Sequence, residues 1–193
     1  MMLHPAKSTM ALAALLVLSF FADSAKANEL PAKTRVTVLL TTLSYDLNIK
    51  SRGDALRIGV VGKADDSNSV KHAKEALAAF EVASSKRVKG MGIVALDLSS
   101  KNESDLAGAI KSKSINILYL SSHLGPLEKA AIKLARDMKI LTLSGQEDTI
   151  KAGAAIGAVM EQGKPKILVN LKAAEAQGAK LDARLLRLVR IVN

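Results

Sequence analysis

Four short apolar runs set the strongest limit on how this chain folds: "ALRIGVVGK", "KRVKGMGIVALDL", "INILYLS" and "ILTLSG", spread through residues 55–145. All four are short and apolar and read as strands; "ALRIGVVGK", with its β-branched residues, and "INILYLS" read as buried ones. Gly90 and Gly92 loosen the second. Between the runs lie segments with helical periodicity. In "DDSNSVKHAKEALAAFEVASS" an apolar stripe runs through Val70, Ala73, Leu77 and Phe80. "NESDLAGAIKSK" starts at a capping residue, Asn102 or Ser104. "PLEKAAIKLARDMK" has Pro126 in its first turn and Leu127, Ala131, Leu134 and Met138 along one side. Strand and helix alternate, so the expected fold class is α/β: one layered domain whose mainly parallel sheet is flanked by helices, with right-handed crossovers.

The two ends of the chain modify this pattern. Upstream, "PAKTRVTVLLTTLSYDLNI" places Val36, Leu39, Leu40, Leu43 and Leu47 at helical spacing. Downstream, "QEDTIKAG" reads as a short helix ended by Gly153, and "AAIGAVMEQGKPKILVNL" as a β-hairpin turning at "EQGKP". The last stretch, "LDARLLRLVRIVN", predicts a terminal amphipathic helix. Its Leu181, Leu185, Leu188, Val189 and Val192 would face the sheet and Arg184, Arg187 and Arg190 the solvent. Five buried apolar side chains would contribute roughly 7–15 kcal/mol before entropy, so removing that helix would unfold the domain. Leu186 falls on neither face and is a candidate partner contact.

The first residues read as an address. A basic start, Met1 to Lys7, precedes the apolar run "MALAALLVLSFF", and Ala25-Lys26-Ala27 fits the small-x-small cleavage rule. Residues 1–27 are therefore expected to be a signal peptide cut after Ala27, and residues 28–193 the domain. Asp23 and Lys26 end the apolar run short of a membrane span, and no integral membrane segment is expected after cleavage. The expected location is the periplasm. With 0 Cys the chain has no disulfide and no thiol chemistry, even in an oxidising compartment.

The formal net charge is +10. Nucleic acid is not the expected partner: the cations are spread along the chain, aromatics make up only 3%, and the chain is exported. An acidic protein surface or an anionic membrane suits the charge better.

No catalytic pattern is present in the residues. Cysteine is absent, and the chain has none of the zinc-protease, nucleophile-elbow or Walker spacings. His72 lies among Lys71 and Lys74 and reads as a solvated helix residue. His123 follows a buried strand in "YLSSHLGP". Two histidines without a nearby carboxylate or cysteine do not make a metal site by spacing, so no metal or other cofactor is expected. Gly59 and Gly62 lack the third glycine of a dinucleotide turn and read as a packing pair. Ligands of open parallel sheets gather outside the strand carboxyl ends. The candidate ligand-binding residues are accordingly Lys63, Ser121, Ser122, His123, Ser144, Gly145, Gln146 and Glu147. Ser144-x-x-Glu147 also has the form of a capping box for the short helix after it.

The ending "ILVNLKAAEAQGAKLDARLLRLVRIV" resembles the C-terminal signature of the YfiR-like periplasmic proteins. "LRIGVVG", "KRVKGMGIVALDL", "INILYLSS" and "ILTLSG" match that family's strands in order. The resemblance implies an α/β periplasmic domain and a non-catalytic regulatory or interaction role. The partner it implies is an inner-membrane signalling protein, a diguanylate cyclase or sensor kinase, linking envelope signals to cyclic-di-GMP. A homodimer is compatible with that role, and a small-molecule-binding domain using the strand-end loops is the alternative reading. The sequence departs from the family pattern twice. The cysteine pairs of well-known members are absent, so their redox control does not carry over. The aromatic-rich entry to the first strand is replaced by "TTLSYDLNIKSRGD", where Tyr45 alone could serve as an aromatic partner contact.

Overall fold

The computed structural model of the protein describes residues 29–192. The expected leader, its cut after Ala27 and the first domain residue, Asn28, lie outside the described residues. The chain folds around one seven-stranded sheet in the order β2-β1-β3-β4-β5-β6-β7. The strands are β1 (Ala55–Val61), β2 (Gly92–Asp97), β3 (Ile117–Leu120), β4 (Leu141–Ser144), β5 (Ile156–Glu161), β6 (Lys164–Val169) and β7 (Arg190–Ile191). β1 to β5 pair in parallel, β6 is antiparallel to β5, and β7 is parallel to β6.

Helix α1 (Ala32–Leu43) precedes the sheet, and α2 (Ser67–Val82) joins β1 to β2. Both cover one face, where Leu39, Leu43, Ala73 and Phe80 pack on Ile58, Ile117 and Tyr119. Helices α3 (Glu103–Ser112) and α4 (Pro126–Asp137) cover the other, where Leu106, Ile110, Leu127 and Ala131 meet Val61, Leu118 and Leu120. In β3 the faces alternate residue by residue, yet all four residues are buried because both faces are covered. The β1–β2 crossover steps one way with its helix on one face. The β2–β3 and β3–β4 crossovers step the other way with their helices on the opposite face, which keeps a single hand. The step reverses between β1 and β3, and a crevice opens next to that point, at the carboxyl ends of β3 and β4.

Local chemistry explains the element ends. Asp66 caps α2 by accepting the Ser69 N–H at 2.8 Å, and Asn102 caps α3 from the Asp105 N–H at 3.0 Å. Pro126 opens α4 where a missing N–H is harmless. The β5–β6 hairpin turns through Gln162 (φ 50°) and Gly163 (φ 74°), the paired positive φ of a two-residue turn.

Three expectations are corrected. The terminal amphipathic helix does not form. Its place is taken by the single turn α7 (Ala183–Leu186), after α6 (Leu171–Ala176), and then by β7. Of its five supposed core residues only Leu185 and Val192 are buried, and Leu188 is 65% exposed. The backbone at Arg190–Ile191 instead satisfies the open edge of β6. The capping box also fails: α5 (Glu147–Lys151) has Gln146 at its N-cap and no side-chain cap. Ser144 Oγ donates to the Leu120 carbonyl at 3.1 Å and accepts the Gln146 N–H at 3.2 Å. Leu47 lies beyond the end of α1 and is 51% exposed, outside the apolar stripe that its helical spacing predicts for it.

Candidate functional site

The crevice at the strand carboxyl ends is a cleft of about 370 Å³. Glu29 and Leu30 close it from the N-terminal segment, His72 from α2, Ser122 and His123 from the loop after β3. Gly145, Gln146 and Glu147 form its floor after β4. Val159 and Met160 form its wall, because β5 runs past the end of β4.

Five of the eight expected ligand residues meet there: Ser122, His123, Gly145, Gln146 and Glu147. Three do not line it. Ser121 and Ser144 are buried beneath it, where Ser144 holds β4 to β3 and the Ser121 hydroxyl lies 3.4 Å from that of Ser69. Lys63 pairs with Asp65 at 3.5 Å, and its N–H donates to Ser69 Oγ at 2.9 Å. Gly62, just before it, is a packing glycine. A Cβ there would stand 2.9 Å from the Ala73 Cβ, so its absence lets α2 approach β1.

His72 corrects its sequence reading. It is not a purely solvated residue: its ring stacks on His123, centroids 5.6 Å apart at 28°, across the mouth of the cleft. Its Nδ1 lies 3.9 Å from Glu75. His123 is exposed, and its left-handed backbone (φ 60°) turns the loop so that the imidazole meets α2. Ser122 Oγ, shielded from solvent, has no hydrogen-bond partner among the described residues, although such a group ordinarily finds one. Among the described residues no group of three or more acidic, histidine or cysteine side chains is placed to hold a metal ion.

Beneath the cleft lies a network that the sequence reading missed. Arg35, almost fully buried on α1, donates to Tyr119 OH at 3.0 Å, to Glu29 at 2.8 Å and to the Leu30 carbonyl at 2.7 Å. Burial pushes the Tyr119 hydroxyl up from its ordinary value, so it stays neutral and accepts from the guanidinium. A Cβ at Gly145 would lie 2.6 Å from Arg35 Nε, so only glycine admits the guanidinium there. Two signals pointed to this network. Tyr119 is a polar-tipped aromatic inside an otherwise apolar strand, and its hydroxyl needs a partner. Arg35 stands four residues before Leu39, on the same buried side of α1.

At the other rim, Arg190 of β7 donates to Glu147 at 2.6 Å and lies 3.3 Å from Glu161; Lys151 lies 2.9 Å from Glu147. The hydrogen bond from Arg190, then that from Lys151, holds the Glu147 carboxyl at about 2. The two expected partner contacts lie elsewhere. Tyr45 is half-buried just past α1, at the opposite end of the sheet, where its carbonyl accepts the Asp182 N–H at 2.9 Å. Leu186 is half-buried in α7.

A one-sheet α/β domain with a polar cleft at its strand ends is the class that this fold and site define. The chain belongs to the YfiR/HmsC-like family, whose sequence profile it matches over residues 34–190. That span holds every element from within α1 to β7. The family is periplasmic and regulatory rather than catalytic. Solved structures share the fold at low identity. An ABC domain in complex with L-Trp from Streptococcus pneumonia is 13% identical with a TM-score of 0.59, over 84% of this chain and 60% of that one. A conserved domain protein from Vibrio cholerae O1 biovar El Tor is 14% identical with a TM-score of 0.58, over 84% and 60%. A substrate-binding protein with adhesive properties from Clostridium difficile, in a ligand-free open form, is 18% identical with a TM-score of 0.52, over 72% and 55%. This chain thus spans little more than half the length of each. No curated protein matches the chain.

Proposed function

We propose that this protein is exported, cut after Ala27, and acts in the periplasm as residues 28–193. There it regulates an inner-membrane signalling protein by contact, with a diguanylate cyclase the expected partner and a sensor kinase the variant of the same role. The observation that carries this reading is the family match across residues 34–190, which covers nearly the whole described domain. Two features are compatible with it: no described helix is long and apolar enough to cross a membrane, and the first residues have the pattern of a cleavable signal. The regulation is thiol-independent, because the chain has no cysteine. Tyr45 and Leu186 remain the candidate contact residues, and a homodimer is compatible with the role. The test is crosslinking in the native host followed by capture from membranes, with cyclic-di-GMP measured after deletion of the gene. Recovery of a cyclase and a rise in cyclic-di-GMP support the reading. Recovery of no membrane protein, with the nucleotide unchanged, overturns it.

A second reading is favoured by the unpartnered Ser122 hydroxyl at the cleft. The domain would hold a small polar ligand between Ser122, His123, Gly145, Gln146 and Glu147, with Lys63, Ser121 and Ser144 as supporting residues. Thermal-shift screening with nucleotides, amino acids and small anions tests it. A stabilisation lost in Ser122→Ala and His123→Ala supports ligand binding, and no shift with any compound overturns it.

A further inference from the structure

The parallel strands gather cations at the end of the sheet opposite the cleft. Lys50 lies in the turn before β1, Lys89 in the turn before β2, and Lys139 just before β4. Because β1, β2 and β4 run in parallel, these three turns share one end. Lys180 joins them: its N–H donates to Asp46 at 2.9 Å, and Lys89 Nζ donates to the Asp46 carbonyl at 3.0 Å. Arg184 lies on the same end, two residues past Asp182. All five are exposed.

Among the described residues Arg184 is paired with Asp182, whereas none of the four lysines forms an ion pair. Asp46 is fully buried against Arg52, and Asp182 is held by Arg184 at 2.7 Å. Asp137 faces Arg136 and Lys133. Asp54, Glu175 and Glu81, in the last turn of α2, are the exposed acids left. Within the lysine ring stands Leu47, 51% exposed, its N–H bonded to the Lys180 carbonyl at 2.8 Å. Lys89 (φ 47°) and Lys139 (φ 56°) occupy left-handed turn positions where glycine is the least strained residue. Each ammonium gives one hydrogen bond to a carbonyl, Lys89 to Asp46 and Lys139 to Ala176, and keeps two donors for solvent or a partner.

We infer that this lysine-ringed end, centred on Leu47, is a docking surface for an anionic phospholipid membrane. The inference rests on the periplasmic reading above only for which membrane is met. Charge complementarity favours lipid over protein. Lysine is depleted at protein interfaces, where arginine and aromatic residues dominate. Dispersed lysines around exposed aliphatic side chains, Leu47 at the centre and Val82 at the end of α2, suit a headgroup layer, where each lysine near the surface counts separately. Docking this end leaves the cleft facing away from the bilayer.

The test is flotation of the purified protein with vesicles of phosphatidylglycerol and phosphatidylcholine, and with phosphatidylcholine alone. Binding to the anionic vesicles only, abolished by high salt, is expected. The triple variant Lys50→Gln, Lys89→Gln, Lys180→Gln should partition about a hundredfold more weakly, at about fivefold per lysine. A matched control at the opposite end, Lys71→Gln, Lys129→Gln, Lys164→Gln, carries the same charge change and should bind nearly as the parent does. Lys139→Gly relieves the left-handed backbone, so it should fold as well as the parent and bind about fivefold more weakly. Equal binding to neutral vesicles, unchanged binding of the triple variant, or equal loss in the control overturns the inference. So does failure to bind any vesicle while an acidic protein is captured through the same lysines. None of these outcomes bears on whether a cyclase is regulated, which the capture from native membranes decides separately.

Discussion

Arg35 and Tyr119, 84 residues apart in the chain, meet through a 3.0 Å hydrogen bond directly beneath the strand-end cleft. The bond joins the helix that precedes the sheet to β3, an interior strand of the sheet. Through Glu29 it also reaches Gln146, 3.4 Å from the same carboxylate oxygen, so one guanidinium organises the cleft's N-terminal wall and its floor.

Tyr119→Phe leaves one buried guanidinium nitrogen without its acceptor while the ring still packs edge-on against Phe80 at 5.5 Å. The expected cost is about 1–3 kcal/mol, the usual penalty for an orphaned buried donor. Urea unfolding checks it: the midpoint should fall with an unchanged slope. An unchanged midpoint would mean that the bond adds nothing to stability.

Asp46 clamps the exit of α1 to the C-terminal segment. It accepts the N–H groups of Asn48 and Lys180, each at 2.9 Å, and lies 3.5 Å from the Arg52 guanidinium. Asp46→Ala would leave Arg52 without its counter-charge and both N–H groups without their acceptor, together costing roughly 3–5 kcal/mol. Asp46→Asn keeps the acceptor for both N–H groups and should cost clearly less. Calorimetric melting of the two variants separates the charge from the hydrogen bonds, and equal losses would assign everything to the charge.

Acid should act through Glu147. Its carboxyl is lowered from 4.5 to about 2 by the hydrogen bonds from Arg190 and Lys151. A depressed carboxyl contributes stability that is fully present above the unfolded-state value and is lost as pH falls through the folded-state value. Stability should therefore decline between about pH 4.5 and 2, and part of that decline should vanish in Glu147→Gln. Asp182, also held at about 2, titrates in the same window, so Asp182→Asn is the companion variant. A wild-type slope in Glu147→Gln would show that the rim ion pair does not hold β7 in place.

Deleting residues 187–193 removes β7, the Arg190 bridge and the buried Val192, but spares Leu185. One buried valine contributes about 1.5 kcal/mol and the edge pairing little more, so the shortened protein should stay folded with a lower melting temperature. Circular dichroism and the melting curve check this. Complete unfolding would restore the larger role that a full terminal helix would have had.

Much of the fold was legible because its signals are local. "INILYL" could only be a doubly buried strand, and Pro126 with the stripe of "PLEKAAIKLARD" could only open and continue a helix. The cleft was half legible. The strand-end rule pointed to Ser122, His123, Gly145, Gln146 and Glu147 without saying which side chains face inward. His72 escaped because its neighbours in sequence are lysines, whereas its neighbour in space is His123. The C-terminus misled because the arginines of "ARLLRLVRIV" fall at every third residue and imitate the polar face of a helix, whereas the open edge of β6 drew Arg190–Ile191 into the sheet.

The residues alone determined the alternation of strand and helix, the absence of thiol chemistry and the family, because period, composition and ordered motifs belong to the chain itself. Only the tertiary structure decided that Arg35 meets Tyr119, that His72 stacks on His123, and that lysines from four separate turns crowd one end of the sheet. Those relationships join residues scores of positions apart, and the order in which the strands line up in the sheet, which no local pattern encodes, is what sets them side by side.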